Sequence, residues 1–147
     1  MRALLVAASV LFPLATSSWA ALGEPLASLA SDQQHLRGAL RSSEGEGFSV
    51  HEIAAENGTV VRQYASPSGM IFGVSWSGPF VPDLEQLLGA YFQEYRQAAR
   101  PTVRHRGPLV VRTSRLVVET GGHMRSFHGR AYVPGMLPVA VPAEAVR

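Results

Sequence analysis

The clearest hydrophobic pattern in the chain is a helical one near its middle. Apolar residues recur at the i, i+3, i+4, i+7, i+8 and i+11 positions, as Leu84, Leu87, Leu88, Tyr91, Phe92 and Tyr95. This spacing places them on one face of an α-helix. Asp83 and Gln86 resemble a capping box at its start, and Pro101 favours an end near Ala99. The pattern predicts an amphipathic helix over 84–99.

Before this helix, the apolar positions alternate with a period of two, as in strands. The stretches 48–53 and 59–64 flank Asn57-Gly58, a dipeptide that favours hairpin turns because both residues tolerate positive φ. A second turn at 66–69 leads into a third strand, whose core face we expect to carry Met70, Phe72, Val74 and Trp76. The pattern predicts three antiparallel strands here.

After the helix, two further strand patterns flank the dipeptide Thr113-Ser114. They predict a hairpin, with one bent strand as the alternative. We expect Gly121-Gly122 to turn the chain into a last strand over 126–133 with a bulge at Gly129. The tail from Pro134 is expected to lie extended along the domain. The predicted fold class is therefore α+β, an antiparallel sheet of five to six strands (three strands, helix, two to three strands) packed on one amphipathic helix.

The N-terminal pattern is typical of an export signal. Met1 and Arg2 precede an apolar run over 3–14, and Ser18-Trp19-Ala20 suits cleavage before residue 21. We therefore predict a signal peptide over 1–20, a flexible or short-helical segment over 21–47 and a single α+β domain over 48–147. Within the segment, a short helix is expected around 31–40 and a flexible loop over 42–47. No later apolar run reaches membrane length, so we expect no transmembrane segment after cleavage and a periplasmic or secreted product.

Composition restricts the chemistry available to this chain. It contains no cysteine, which excludes thiolate catalysis and disulfide bonds, so an exported form must be stabilised by its core. Residues 21–95 carry three arginines and nine acidic residues, whereas residues 96–147 carry nine arginines and two acidic residues. Such an asymmetry is found in proteins with an anion-binding surface, but the two halves of a compact domain interleave, and their charges then cancel in space. Nucleic acid is not expected for an exported protein whose mature charge is close to neutral.

Two binding hypotheses follow from the C-terminal half. The first is a patch for an anionic ligand or an acidic envelope or secreted protein, because arginine holds carboxylate and phosphate with two parallel hydrogen bonds; its residues would be Arg100, Arg104, His105, Arg106, Arg125 and Arg130. The second is a copper site, because imidazole and thioether are suitable ligands; its residues would be His123, Met124 and His128. No other cofactor is indicated.

Two stretches resemble catalytic motifs without completing them. The zinc-protease helix motif needs a second histidine where His51-Glu52-Ile53-Ala54-Ala55 has alanine, and this stretch lies on a predicted strand. The nucleophile elbow needs a final glycine and a strand-to-helix turn, which Gly73-Val74-Ser75-Trp76-Ser77 lacks. No catalytic residue is therefore predicted, and an enzyme of unrecognised mechanism stays open as an alternative.

Several stretches together resemble a known family. They are residues 57–64 (NGTVVRQY), 74–79 (VSWSGP), 82–92 (PDLEQLLGAYF), 121–124 (GGHM) and 129–132 (GRAY). They are similar to a proteobacterial family of exported proteins described as domain of unknown function 2844. The resemblance covers most of the chain after the leader. It implies a signal peptide, one small domain and an envelope or extracellular location, and it brings no activity, cofactor or catalytic residue.

The function expected from the sequence is that of a small exported binding or accessory protein of the bacterial envelope. Copper binding and an unrecognised enzyme activity are the alternatives. The partner and the oligomeric state are not specified by any pattern in the chain.

Overall fold

A seven-stranded antiparallel sheet organises the residues that the computed structural model describes, 22–99 and 107–147. The strands are β1 (Gly38–Gly45), β2 (Phe48–Ala55), β3 (Val60–Ala65), β4 (Ile71–Gly78), β5 (Leu109–Arg112), β6 (Val117–His123) and β7 (Ser126–Tyr132). The helices are α1 (Leu29–Leu36), α2 (Leu84–Leu88) and α3 (Phe92–Ala99). Single 3₁₀ turns lie at Leu26–Ser28, Gly89–Tyr91, Pro134–Met136 and Ala143–Ala145. The predicted signal peptide, residues 1–20, lies outside the described residues.

The strand order is β1-β2-β3-β4-β7-β6-β5, and every pair of neighbours is antiparallel. The first four strands follow one another as in a meander, and the last three form a second meander. The two halves join where β4 pairs with β7. This pairing comprises six residue pairs, from Gly73↔Tyr132 to Gly78↔Phe127. The predicted α+β class is confirmed.

The sheet has seven strands where we predicted five or six, because residues 38–45 form β1. We expected the end of a short helix up to residue 40 and a flexible loop over 42–47, whereas the helix α1 ends at Leu36 and β1 follows. Its sequence, GALRSSEG, has no apolar alternation, and all but the first of its residues are exposed. The strand forms because its backbone pairs with β2 along its whole length, from Gly38↔Ala55 to Gly45↔Phe48. Backbone pairing of this kind leaves little trace in side-chain patterning.

The long predicted helix over 84–99 is interrupted. It begins where expected, because the Asp83 carboxylate accepts hydrogen bonds from the backbone N–H groups of Glu85 and Gln86. At Gly89 the backbone turns to φ 48°, which ends α2 and starts a 3₁₀ turn before α3. Glycine adopts this conformation at little cost. The apolar stripe still faces the sheet, since Leu87 and Leu88 belong to the core and Tyr91, Phe92 and Tyr95 pack against it.

The two faces of the sheet bury different partners. The face towards α2 and α3, here called the helix face, packs Val61, Val74, Trp76 and Val118 with the helices. The opposite face, here called the tail face, packs four sheet residues with Val141 and Val146 of the C-terminal segment 134–147: Tyr64, Phe72, Val117 and Tyr132. The segment contains two 3₁₀ turns where we predicted an extended tail. Both sheet faces are therefore covered, the tail face only in part.

Two local predictions were wrong. Phe72 does not share a face with Val74 and Trp76, because the register shifts between Tyr64 and Ala65 and places Phe72 in the tail-face core. Gly121 and Gly122 lie within β6, and the turn into β7 is Met124–Arg125.

No bulge occurs at Gly129, because the β6–β7 pairing is continuous from Val117↔Tyr132 to His123↔Ser126. The absence of a side chain at Gly129 is needed for packing instead. A Cβ at Gly129 would overlap the Trp76 indole, so glycine lets this large side chain lie flat on β7 and fill the helix-face core.

Candidate functional site

An open groove of about 420 Å³ lies on the tail face, beside the C-terminal segment. Its floor is formed by side chains of the central strands, and its ends are formed by β3 on one side and the start of β5 on the other. The lining includes Arg62, Ser75, Ser77, Val110, His128 and Arg130. A volume of this size falls in the range of pockets that bind small or medium ligands. The groove is the candidate site.

The register of the sheet aligns the floor residues in rows. One row, here called the central row, crosses the strands as Arg41↔Glu52↔Arg62↔Ser75↔Arg130↔Glu119↔Val110. The next row brings Ser77 opposite His128 and His128 opposite Gly121. Neighbouring strands lie about 4.8 Å apart, so the part of the central row from Arg62 to Val110 spans about 19 Å. The groove therefore runs across the strands rather than along them.

Ion pairs order the charged side chains of the central row. Arg62 Nε donates to Glu52 Oε2 at 2.8 Å, and Arg130 Nε donates to Glu119 Oε2 at 2.8 Å. Arg112 Nη2 reaches the other Glu119 oxygen at 3.1 Å. The hydrogen bond to Glu119 raises the pKa of Arg130 above its ordinary value, with burial opposing it. The two carboxylates thus hold the guanidinium groups of Arg62 and Arg130 in place at the groove.

The same face already binds polypeptide through side-chain donors. Arg130 Nη1 donates to the backbone oxygens of Ala143 and Val146, each at 3.2 Å. Ser75 Oγ donates to the Arg147 backbone oxygen at 3.0 Å, and the Tyr64 hydroxyl donates to the same oxygen. The Arg147 N–H in turn donates to the Tyr64 hydroxyl at 3.1 Å. These contacts hold the C-terminal segment along one wall of the groove.

The predicted anion patch is only partly described by the structure. Four of its residues lie outside the described residues: Arg100, Arg104, His105 and Arg106. Arg125 lies in the β6–β7 turn with φ 64°. Arg130 lines the groove, where it is paired with Glu119 and with the C-terminal segment. Arg125 and Arg130 are therefore five positions apart along one hairpin, and only Arg130 belongs to the groove.

The predicted copper ligands occupy the same hairpin. His123 and His128 lie on the tail face in neighbouring rows, while Met124 lies in the turn and is 86 % exposed. The His128 ring stacks closely over Gly121, where a Cβ would come within 2.9 Å of Nε2. Among residues 22–99 and 107–147, no group of three or more His, Asp or Glu side chains is arranged to hold a metal ion.

A second polar cluster lies on the helix face and is fully buried. The Asp32 carboxylate of α1 accepts hydrogen bonds from Gln86 Nε2 at 2.8 Å and from Gln63 Nε2. Burial raises the pKa of Asp32 to about 6, and the two glutamine donors and His35 oppose that rise. Gln63 Oε1 has no hydrogen-bond partner among the described residues. The cluster joins α1, β3 and α2, and it contains no nucleophile.

Sequence reasoning missed most of the groove. Arg62, Ser75, Ser77 and Val110 were not proposed as site residues. The alternation along each strand assigns residues to a face, and the Asn57-Gly58 turn sets the register that pairs Glu52 with Arg62. The pairing of β4 with β7 has no such signal, because no turn connects these strands.

A comparison with protein-family models finds a match over residues 18–146 to the family described as Protein of unknown function (DUF2844). The chain belongs to this family. The resemblance noted in the sequence is thereby confirmed as to the family. Comparisons with curated proteins and with solved structures found no match. In the part of the chain that the structure describes, every helix is too short or too polar to cross a bilayer.

Proposed function

We propose that this member of the DUF2844 family is a small exported binding or accessory protein of the bacterial envelope, and that the tail-face groove is its binding site. The observation that carries the proposal is the groove itself. It combines fixed cations, hydroxyl groups and an imidazole with exposed apolar surface, including Val110, which is 50 % exposed. Pockets that combine apolar walls with a few placed polar groups are typical ligand sites.

The sheet that carries this groove supports binding more than catalysis. Ser75, the hydroxyl closest to the arginines in the central row, is 3 % exposed and already donates to the Arg147 backbone oxygen. Activation of a serine nucleophile requires a general base within hydrogen-bond reach. Ser75 has the Tyr64 hydroxyl at 3.3 Å as its other partner, and that hydroxyl itself donates to the Arg147 backbone oxygen.

The leader supports the exported location. Expression of the full chain in a Gram-negative host, followed by cell fractionation and N-terminal sequencing, is expected to give a product outside the cytoplasm that begins at Ala21. Recovery of chain that still begins at Met1 from the cytoplasm would contradict export.

The binding site is tested on the exported product labelled with ¹⁵N. Titration with size-fractionated envelope extract is expected to shift the backbone amide resonances of Ser77, Val110 and His128. Amides of α2, such as those of Leu87 and Leu88, serve as the internal control because this helix packs on the other side of the sheet. Shifts confined to the helix face, or none in any fraction, would rule out the groove as the site.

A further inference from the structure

We propose that the groove binds an extended acidic peptide segment of a partner protein, laid across the strands beside the chain's own C-terminal segment. An acidic residue of the peptide would contact Arg62, and an apolar residue would contact Val110. This inference rests on the proposed function and adds the chemistry of the ligand.

The excess of arginine on the tail face favours a negatively charged ligand. The strand positions on the tail face carry four arginines, Arg41, Arg62, Arg112 and Arg130, against Glu52 and Glu119. Arg130 and Arg112 share the Glu119 carboxylate. Arg62 uses only its Nε towards Glu52, and its side chain is 35 % exposed. Within residues 22–99 and 107–147 its two terminal nitrogens make no hydrogen bond, and they present the fork geometry that recognises a carboxylate.

The other end of the groove is apolar. Pro108 and Val110 line it, and Val110 is 50 % exposed although it lies in a strand. The distance between the Arg62 and Val110 ends, about 19 Å, matches six residues of extended chain at about 3.3 Å each. The floor between the ends carries Ser77 and His128 in the row beside the Glu119–Arg130 pair. These two side chains are able to hydrogen-bond a peptide backbone, whereas a hydrocarbon chain would leave them without partners.

The C-terminal segment shows how this face holds polypeptide. It is bound without strand pairing, through Arg130, Ser75 and Tyr64 donating to backbone oxygens and through Val141 and Val146 packing on the sheet. A peptide in the groove would lie next to this segment and use the same kind of contact.

The test uses the full-chain product purified from the envelope fraction and a positional-scanning library of hexapeptides blocked at both ends. Blocking removes the terminal charges, so any preference for acid comes from side chains. We expect Glu or Asp to be enriched about tenfold over Gln and Asn at one end position, as a charge-assisted hydrogen-bond pair warrants. Aliphatic residues should be enriched at the other end.

Two variants separate the ends of the groove. R62Q is expected to lose the acidic preference and keep the aliphatic one, and V110N, which removes apolar surface without adding charge, is expected to do the reverse. R41Q and V139N are the matched controls. Arg41 lies in the central row outside the groove, and Val139 is fully exposed on the C-terminal segment. Both controls should leave the library profile unchanged within twofold.

Three results would overturn the inference. They are a library profile without acidic enrichment, an acidic preference that survives in R62Q, and displacement of the selected peptides by laurate at equal or lower concentration, which would indicate a fatty-acid site. If any of these occurs while envelope fractions still shift the Ser77, Val110 and His128 resonances, the groove remains the binding site and only its peptide ligand is wrong.

Discussion

At the residue scale, the most unusual feature of this chain is a carboxyl group in the core. Asp32 is completely inaccessible to solvent and has two glutamine amides, Gln63 and Gln86, as hydrogen-bond donors. Two neutral donors compensate only part of the lost hydration of a carboxylate. This explains why burial raises its pKa to about 6. The protonated form is therefore favoured in the folded protein more than in the unfolded chain.

This difference predicts a pH dependence of stability. The ordinary pKa of Asp32 is 3.8 and the folded value is about 6, so the stability that the fold gains from a neutral Asp32 carboxyl is fully present below about pH 4. That stability is lost as the pH rises through about 6. The lost free energy of unfolding is roughly 3 kcal/mol. D32N, which stays neutral, should lack this loss. Urea unfolding at several pH values between 4 and 7 measures the difference between the two proteins.

Other titrating groups affect both proteins alike and cancel in that difference. Asparagine also retains the hydrogen bonds, since its N–H₂ group is able to donate to the unpartnered Gln63 Oε1 after rotation of that amide. A constant difference between wild type and D32N across this pH range would show that Asp32 stays ionised in the fold.

At the element scale, the β6–β7 hairpin shows how backbone conformation decides a turn. The sequence offers Gly121-Gly122 as a turn, yet the chain turns two residues later at Met124–Arg125. Gly122 is needed inside the strand because its φ is +112° and a Cβ would overlap the Ser126 backbone oxygen. Arg125 adopts the left-handed conformation with φ 64°, which costs a non-glycine residue about 1 kcal/mol.

We therefore expect R125G to stabilise the protein slightly. Relief of the left-handed strain is partly offset by the greater entropy of glycine in the unfolded chain, which leaves a gain of about 0.5 kcal/mol in the free energy of unfolding. G122A is the contrasting variant in the same hairpin and should destabilise by more than about 1 kcal/mol. Chemical denaturation measures both, and destabilisation by R125G would show that its side chain has a structural role.

At the scale of the whole molecule, the C-terminal segment completes the fold. It buries Val141 and Val146 against the tail face and lies far from β3 and β4 in sequence. Arg130 connects it to the sheet, because one guanidinium bonds Glu119 and the backbone oxygens of Ala143 and Val146. Removing that side chain should loosen the segment while leaving the strands paired.

We expect R130M to lower the free energy of unfolding by about 2 kcal/mol, because one charged group loses three hydrogen-bond acceptors. The amides of Val141 and Val146, which are bonded within the segment, should exchange with deuterium faster. Amides of the β2–β3 hairpin should not change.

R112M is the matched control for this variant. Arg112 pairs with the same glutamate but its side chain is 63 % exposed. Such pairs contribute about 0.5 kcal/mol. Equal effects of the two variants would show that the contacts with the C-terminal segment contribute nothing.

More of the fold than of the candidate site could be predicted from the sequence. The hairpin at Asn57-Gly58, the strand after the 66–69 turn and the start of the helix at Asp83 were all confirmed, because each depends on contacts a few residues apart. The strand β1 was missed because its side chains are exposed and only its backbone is paired. The groove was missed because its lining combines Arg62 of β3 with residues of β7 and β5, which share one row only through the pairing of β4 with β7.

The sequence by itself determined the turn at Asn57-Gly58, the alternating strands on either side of it and the start of the helix at Asp83, since these features follow from the backbone preferences and spacing of neighbouring residues. The tertiary structure alone decided that β4 pairs with β7. That long-range pairing aligns Arg62, Ser75, Arg130, Glu119 and Val110 in one row. A groove across strands depends on pairings between distant segments, and local propensity carries no information about which of them form.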